Sequence, residues 1–263
     1  MNLIYQYWNG DEPPPGALAS VANMREYAEQ IGAQHRFCHN DFFVKAPQYK
    51  NHTDSLRPLH DPWFDSFDKV LFLDADVFAV DGLSESVFDV PVSGIGICAE
   101  PHQPEFRDGR KHRICGDNDR KWARFVSKKW NCSVPMDNKG RPMVFNSGVI
   151  LYTREGVDLA RKHFIPLKEY VLGVTAQKLP VFYAADQNYI HSQLFRPGMR
   201  MTRMSCDWNA LVHGKRPQDG GGYHDGRTPT SKFVHVQLSG FSHNGRDAHE
   251  RVTNNKQEDW NLP

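Results

Sequence analysis

The sequence lacks an excess of charge of either sign. Its 32 Lys and Arg residues are balanced by 31 Asp and Glu residues, which leaves a formal net charge of +1. Proteins whose main partner is nucleic acid usually carry a strongly basic domain, so we expect no nucleic-acid partner. Long apolar runs are also missing: the run at 70–73 is typical, whereas a helix that crosses a bilayer needs about 20 apolar residues. We therefore expect no membrane span.

The cysteines lack any paired spacing. There are five of them, an odd number, widely separated and without a CxxC pair. This usage favours reduced thiols over a disulfide framework or a zinc site. Residues 1–16 contain no basic segment followed by an apolar stretch, so we expect no signal peptide and a cytoplasmic protein.

The residues that are present predict one globular domain. Apolar residues make up 39% of the 263 residues and aromatic residues 12%, which is enough for a packed core and argues against intrinsic disorder. No repeat or linker divides the chain, so we predict a single domain over 1–263. Within it, residues 100–143 are polar and are interpreted as an insertion that could contact an acceptor, and residues 246–263 form a polar tail.

The N-terminal segment predicts the fold class. Residues 2–7 are typical of a strand, 17–31 of an amphipathic helix and 34–38 of a second strand. Gly32 stands where a helix commonly ends. A strand, a helix and a strand in this order indicate a parallel sheet covered by helices. We therefore predict an α/β fold with a mixed, mostly parallel sheet flanked by helices.

Apolar periodicity and proline positions predict the remaining elements. They are a helix over 56–67, a buried strand at 70–73, a strand over 143–152, a helix over 154–172 kinked at Pro166, a helix that starts near Ala185, and a strand over 232–238. Residues 214–229 are almost without apolar side chains and are typical of a mobile loop.

Two carboxylates, Asp74 and Asp76, follow the buried strand at 70–73 directly. Ligands of open α/β sheets bind beyond the carboxyl ends of the strands, so chemistry is expected here. A turn at the strand end would let both side chains converge on one divalent cation, and Mg²⁺ and Mn²⁺ prefer oxygen ligands. The alternative is an exposed pair that only solvates a turn; the wholly apolar strand before it favours a metal site.

Four motifs appear in order along the chain: LFLDADVF at 71–78, VFNSGVILY at 144–152, AADQNYI at 184–190 and FVHVQLSG at 233–240. With the opening IYQYWNGDEPP at 4–14, this series resembles the GT-A fold nucleotide-sugar glycosyltransferases, especially glycosyltransferase family 8. The resemblance implies a single GT-A domain. It also implies transfer of a hexosyl or pentosyl unit from a UDP-sugar donor to a hydroxyl of a glycan or glycoconjugate acceptor.

The resemblance implies a metal centre. Asp74, Ala75 and Asp76 would bind the donor diphosphate, with the two carboxylates holding Mn²⁺ or Mg²⁺. His235 would supply a third protein ligand. A buried strand histidine with a satisfied hydrogen bond is the structural alternative for His235.

The resemblance also implies catalytic residues. Asn146, followed by Ser147, would turn its amide toward the transferred sugar. Asp186 and Gln187 match a pair beside the anomeric carbon. Asp186 would bind hydroxyls of the donor sugar or act as a base for the acceptor hydroxyl, and a helix N-cap is its structural alternative.

Further donor contacts follow from the same resemblance. Tyr5, or its neighbours Gln6 and Tyr7, would flank the uracil at the end of the first strand. Arg57 would reach the donor sugar or phosphate, although a solvated helix arginine would have the same sequence context.

The C-terminal part departs from the family pattern. Gly240 matches a donor-binding position, but no basic element of the family's type follows it. Lys215 and Arg216 are then the candidates for neutralising the diphosphate. The loop over 214–229 that contains them is a candidate lid that closes over the donor and excludes water. Trp122 and Trp130 in the insertion are candidate acceptor contacts, because sugars stack on aromatic rings.

Two other functions are weighed against glycosyl transfer. Haloacid-dehalogenase-like phosphatases also use an apolar strand that ends in DxD. Their signature requires Thr or Val where this chain has Phe78, and it normally lies on the first strand, whereas here about 70 residues precede it. A lectin-like module that kept the fold and lost turnover is the second alternative. The intact set of acidic, amide and histidine side chains speaks against it.

Overall fold

Ten strands and seven α-helices are found in the part of the chain that the computed structural model describes, which is residues 1–10, 12–44, 53–214 and 223–236. The strands are β1 Asn2–Trp8, β2 Gln34–His39, β3 Lys69–Leu73, β4 Val77–Ala79, β5 Ile95–Ala99, β6 Phe145–Thr153, β7 Met201–Met204, β8 Ala210–Gly214, β9 Tyr223–Asp225 and β10 Phe233–Val236. The helices are α1 Pro15–Gln30, α2 Arg57–His60, α3 Gln103–Arg107, α4 Gly116–Trp130, α5 Arg154–His163, α6 Leu167–Ala176 and α7 Asp186–Leu194.

The larger sheet has six strands in the order β2-β1-β3-β6-β5-β7. Only β6 runs against its neighbours, β3 and β5, and the other pairs are parallel. The predicted start of the chain is confirmed: α1 connects β1 to the parallel β2, and Gly32 takes a positive φ of 68° just after the helix. The predicted α/β class with a mixed, mostly parallel sheet is therefore correct.

The central strand β3 is buried on both faces. Val70 and Phe72 pack into one hydrophobic cluster, and Leu71 and Leu73 pack into another on the opposite face. Side chains alternate between the faces of a strand, so a continuous apolar run is what a strand covered on both sides requires. Asp74 is the first residue after this run, and there the chain leaves the core.

A second, smaller sheet has the strand order β4-β10-β8-β9. It was not predicted, and its β9 lies within the predicted loop over 214–229. Backbone pairing of Tyr223–Asp225 with β8 explains this strand without any apolar pattern. Residues 226–229 of the predicted loop contain no strand or helix, and residues 215–222 lie outside the described residues. The prediction of a strand near 232–238 is confirmed for the described β10.

Two predicted helices are interrupted at prolines. The segment 56–67 consists of the short α2 between two 3₁₀ turns, Asp54–Leu56 and Pro62–Ser66. The segment 154–172 is two helices, α5 and α6, rather than one kinked helix, and Pro166 precedes α6. Proline lacks an N–H and disfavours the helical conformation at the residue before it, and Asp61, which precedes Pro62, is extended. Pro58 is tolerated because it stands in the first turn of α2.

The two tryptophans expected at the acceptor belong to the core. Trp122 is 1% exposed, and its Nε1–H donates to the hydroxyl of Tyr170 at 2.9 Å. Trp130 is buried and donates to Glu169 Oε1 at 2.9 Å. The expectation was wrong because the inner face of α4 packs against α6, so neither ring can stack on a sugar at the surface. Within the described residues, no helix has the length and apolar character needed to cross a membrane.

Candidate functional site

The turn after β3 places the two carboxylates. Asp74 N–H donates to Gly148 O of β6 at 2.9 Å, and Val77 N–H closes the turn onto Asp74 O at 3.3 Å. The chain then continues directly into β4. Because the turn breaks the strand's alternation, Asp74 and Asp76 project to the same side, with the buried Ala75 between them.

His235 reaches the same place from the second sheet. It lies on β10, which pairs antiparallel with β4 so that His235 is opposite Val77. Its Nε2 is 3.1 Å from Asp76 Oδ1 and 3.9 Å from Asp74 Oδ2. One ligand atom from each of the three residues lies within 4.8 Å of the others. The predicted trio therefore comes together, at the junction of the two sheets.

Gly148 leaves the space that this cluster occupies. A Cβ at this position would lie 2.8 Å from Asp74 Oδ2 and 2.8 Å from His235 Nδ1, and closer still to His235 Cε1. The pairing of β5 with β6 shifts register between Ile97 and Cys98, where β6 bulges away from β5. Such bulges are common beside functional sites because they redirect side chains. The glycine of the FNSG motif is thus required by the close approach of two candidate ligands.

The electrostatics of the trio reflect crowded negative charge. Burial, together with the carboxylates of Asp76 and Asp186, raises the pKa of Asp74 to about 7. Burial alone would lower the pKa of His235, but the carboxylates of Asp76 and Asp74 outweigh it and raise that pKa. Two carboxylates and an imidazole whose ligand atoms lie within 4.8 Å of one another are a donor set that a divalent cation satisfies, so these residues fit a metal ion.

Asn146 was expected to turn its amide toward the transferred sugar, but the amide is engaged inside the protein. Its side chain is buried, Nδ2 donates to Glu100 Oε1 at 3.0 Å, and Oδ1 accepts from Gly148 N–H at 2.8 Å and from Asn209 Nδ2 at 3.0 Å. These bonds engage the amide within the protein, so it holds other residues rather than a sugar. The neighbouring Ser147 is also buried.

Asp186 is half-buried and accepts a hydrogen bond from Ser55. It is the first residue of α7, and Ala185 is the N-cap, so the capping alternative does not apply. Ser55 Oγ donates to Asp186 Oδ2 at 2.9 Å. The charge of Asp186 contributes to the raised pKa of Asp74. Gln187 follows on α7 and is half-buried.

Of the three residues expected at the uracil, two are fully buried and one is half-buried. Tyr5 is fully buried, with its ring 5.0 Å from that of Phe64. Gln6 is also buried; its Nε2 donates to Asp74 O at 3.2 Å, so it supports the turn. Tyr7 is half-buried, and burial and the nearby carboxylates of Asp186 and Asp74 raise its pKa. Successive side chains alternate between the two faces of a strand, so Tyr5 and Gln6 enter the core on opposite faces of β1. Tyr7 follows them near the end of the strand.

Arg57 is engaged by carboxylates of its own surroundings. Its Nη1 is 2.8 Å from Asp41 and 3.7 Å from Asp54, and its Nε is 3.2 Å from Asp61. The side chain is only 13% exposed. This geometry makes Arg57 an anchor for the segment around α2 and does not bear out the expected donor contact. Lys215, Arg216 and Gly240, the other predicted donor residues, lie outside the described residues.

Sequence reasoning missed three contributors to the site. Glu100 follows the apolar β5 as Asp74 follows β3, and this strand-end carboxylate was a signal that could have been used. Ser55, which binds Asp186, and Asn209, which contacts His235 Nδ1 at 3.0 Å, had no comparable signal. Their positions depend on turns packed against distant strands.

Comparison with known proteins gives a fold but no close relative. No protein-family model matches the sequence, and no curated protein matches it. A solved glycosyltransferase involved in the glycosylation of the major capsid of PBCV-1 matches 96% of this chain and 99% of its own, with a TM-score of 0.50 and 11% identity. Mouse xyloside xylosyltransferase 1 matches 92% of this chain and 99% of its own, with a TM-score of 0.49 and 14% identity. GlyE of Streptococcus pneumoniae TIGR4 matches 80% and 47%, with a TM-score of 0.39 and 14% identity.

The first of these matches extends over nearly the whole of both chains. The present chain therefore has the fold of the GT-A glycosyltransferases, and the resemblance that the four motifs indicated is confirmed at the level of the fold.

Proposed function

We propose that this protein is a metal-dependent glycosyltransferase that moves a monosaccharide from a UDP-sugar to a hydroxyl of a glycan or glycoconjugate. The observation that carries the proposal is the convergence of Asp74, Asp76 and His235 beyond the carboxyl end of β3. In an open α/β sheet this is where a ligand is expected. A hexosyl or a pentosyl donor is compatible with these residues.

Asp74, Asp76 and His235 would hold Mn²⁺ or Mg²⁺, which when bound neutralises charge that develops on the leaving diphosphate. The imidazole favours Mn²⁺, since Mg²⁺ prefers a shell made of oxygen atoms. Lys215 and Arg216 remain candidates for additional diphosphate contacts. Tyr7 is the residue of the first strand that we assign to the uracil, because its ring is only half-buried, whereas Tyr5 and Gln6 are fully buried.

Asp186 is the proposed catalytic carboxylate, with Gln187 beside it. The hydrogen bond from Ser55 fixes the orientation of the Asp186 carboxylate. In that position Asp186 would accept a hydrogen bond from a donor-sugar hydroxyl, or take the proton of the acceptor hydroxyl as the new glycosidic bond forms. The carboxylate would also stabilise positive charge that develops at the anomeric carbon.

A panel of UDP-sugars, scored for release of UDP, tests the proposal. We expect at least one donor to be hydrolysed slowly with Mn²⁺, activity to disappear with EDTA, and excess Mn²⁺ to restore it. Asp76→Ala should abolish the metal-dependent release while the protein stays folded. The matched control is Asp81→Ala, which removes an exposed carboxylate just after β4 and should leave release unchanged.

Two results would replace the proposal. Release of phosphate from a phosphomonoester, metal-dependent and insensitive to UDP, would identify a phosphatase. Binding of free sugar in calorimetry without UDP or Mn²⁺, and with no turnover of any donor, would identify a lectin-like module.

A further inference from the structure

A chain of buried polar side chains leads from His235 into the core. Its members are Glu100 at the end of β5, Asn146 on β6, Asn209 just before β8, and His235 on β10, and each is at most 4% exposed. The links are Glu100 Oε1 to Asn146 Nδ2, Asn146 Oδ1 to Asn209 Nδ2, and Asn209 Oδ1 to His235 Nδ1, each 3.0 Å long. The chain therefore joins three strands of the two sheets to one ring nitrogen.

The direction of every hydrogen bond in this chain of side chains follows from one backbone group that can only donate. The backbone N–H of Gly148 can only donate, and it contacts Asn146 Oδ1 at 2.8 Å. Asn146 must then present Nδ2 to Glu100 Oε1, which accepts from it at 3.0 Å. Since Asn146 Oδ1 accepts, Asn209 must offer Nδ2 to it and must turn Oδ1 toward His235. An amide oxygen there requires a proton on Nδ1 of the ring.

We infer that Asn209, oriented by Asn146 and Glu100, is a positioning residue that fixes His235 as the tautomer with its proton on Nδ1. The lone pair of Nε2 then points at the Asp74 and Asp76 carboxylates, where a cation would bind. A partner that sets the tautomer also raises the basicity of a ligating histidine and holds its ring orientation. The consequence for metal binding rests on the proposed function, whereas the tautomer does not.

The tautomer is measured directly by long-range ¹H–¹⁵N NMR of the metal-free protein at a pH where the imidazole is neutral. Loss of one cross-peak set in His235→Gln assigns the residue. We expect Nδ1 to carry a proton in the wild-type protein, and to lose it wholly or in part in Asn209→Leu, where Asp76 Oδ1, 3.1 Å from Nε2, is the remaining acceptor. A wild-type ring whose Nδ1 carries no proton overturns the inference, and this result needs no variant that might fold poorly.

Calorimetric titration with Mn²⁺ provides the second readout. We expect Asn209→Leu to weaken Mn²⁺ binding by about 10- to 100-fold, as loss of such partners commonly does. Gln193→Leu is the matched control, because Gln193 is a buried amide on α7 whose Oε1 accepts from Ile165 N–H at 3.0 Å. It should destabilise the protein without changing Mn²⁺ affinity or the His235 tautomer.

Two outcomes of the titration are distinguishable. Unchanged Mn²⁺ affinity in Asn209→Leu overturns the inference. A wild-type protein that binds no Mn²⁺ refutes the metal site of the proposed function, and the NMR result then decides the tautomer independently.

Discussion

Replacing Gly148 by alanine tests whether the positions of Asp74 and His235 depend on the absence of a side chain at residue 148. The added Cβ would begin 2.8 Å from both Asp74 Oδ2 and His235 Nδ1, and these atoms would have to retreat to at least 3.4 Å. Asp74 could move toward solvent, since its side chain is 39% exposed. His235 has no such freedom, because it is buried and bonded to Asn209.

The expected cost has two parts. Overpacking of a buried position costs about 1–3 kcal/mol, which lowers the melting temperature by several degrees at about 2 °C or more per kcal/mol. Displacement of the ligands has the larger effect on function, because an error of about 1 Å in a catalytic arrangement costs on the order of 10²-fold in rate. Gly148 has no positive φ, so the added methyl alone produces the effect.

Melting temperature, Mn²⁺ affinity and UDP release are measured on Gly148→Ala and on Gly173→Ala. In the second variant the Cβ would lie 2.8 Å from Trp130 Cη2, between α6 and α4, so it is a comparable packing change elsewhere. We expect Gly173→Ala to keep wild-type Mn²⁺ affinity and Gly148→Ala to lose it. If Gly148→Ala binds Mn²⁺ and releases UDP like the wild type, Asp74 and His235 do not act together at this site.

Three further predictions follow from other contacts. Ser55→Ala should lower kcat/KM for UDP release by about 10-fold, because Asp186 loses the hydrogen bond that orients it. The same variant should lower the free energy of unfolding by about 1.5–3 kcal/mol, the contribution of a hydrogen bond to a charged group, and unchanged kinetics would dissociate Ser55 from Asp186. Trp122→Ala should lower the free energy of unfolding by about 3–5 kcal/mol in urea, and an altered acceptor KM without such a loss would return this ring to the acceptor site. Burial, reinforced by the charge of Arg107, lowers the pKa of His191 to about 3. Because the unfolded chain binds the proton more readily, the free energy of unfolding decreases as the pH falls from about 6.5 toward 3. His191→Phe should therefore lose less stability than the wild type between pH 6 and pH 4, by about 1.4 kcal/mol per pH unit, and parallel urea midpoints for the two proteins would contradict this.

The class of fold could be predicted from the order of the elements. The βαβ start and the buried strand β3 indicated an α/β sheet, and both depend on local signals such as strand alternation or a turn glycine. The GT-A class followed from the resemblance of the four motifs to a known family. The small sheet escaped prediction because β4, β8 and β9 are short and are stabilised by pairing partners far away in the sequence. Short strands of this kind carry little periodicity.

Part of the candidate site could also be predicted from the sequence. Asp74, Asp76 and His235 were chosen by residue type and motif, and the structure brings them together. Asn146 was chosen by the same reasoning, yet its amide is turned into the core by Gly148, Asn209 and Glu100. A motif conveys which residue is present, but hydrogen-bond partners from other strands decide where its polar atoms point.

The amino-acid sequence alone was sufficient for the α/β architecture and for the identity of the acidic pair, because strand burial and the turn after it are properties of neighbouring residues. Which face Tyr5, Gln6 and Tyr7 present, and whether Trp122 meets solvent or core, was decided only when α4, α6 and the strands packed together. The partner that orients His235 was decided at the same level. Such contacts join residues far apart in the chain, and no local pattern encodes them.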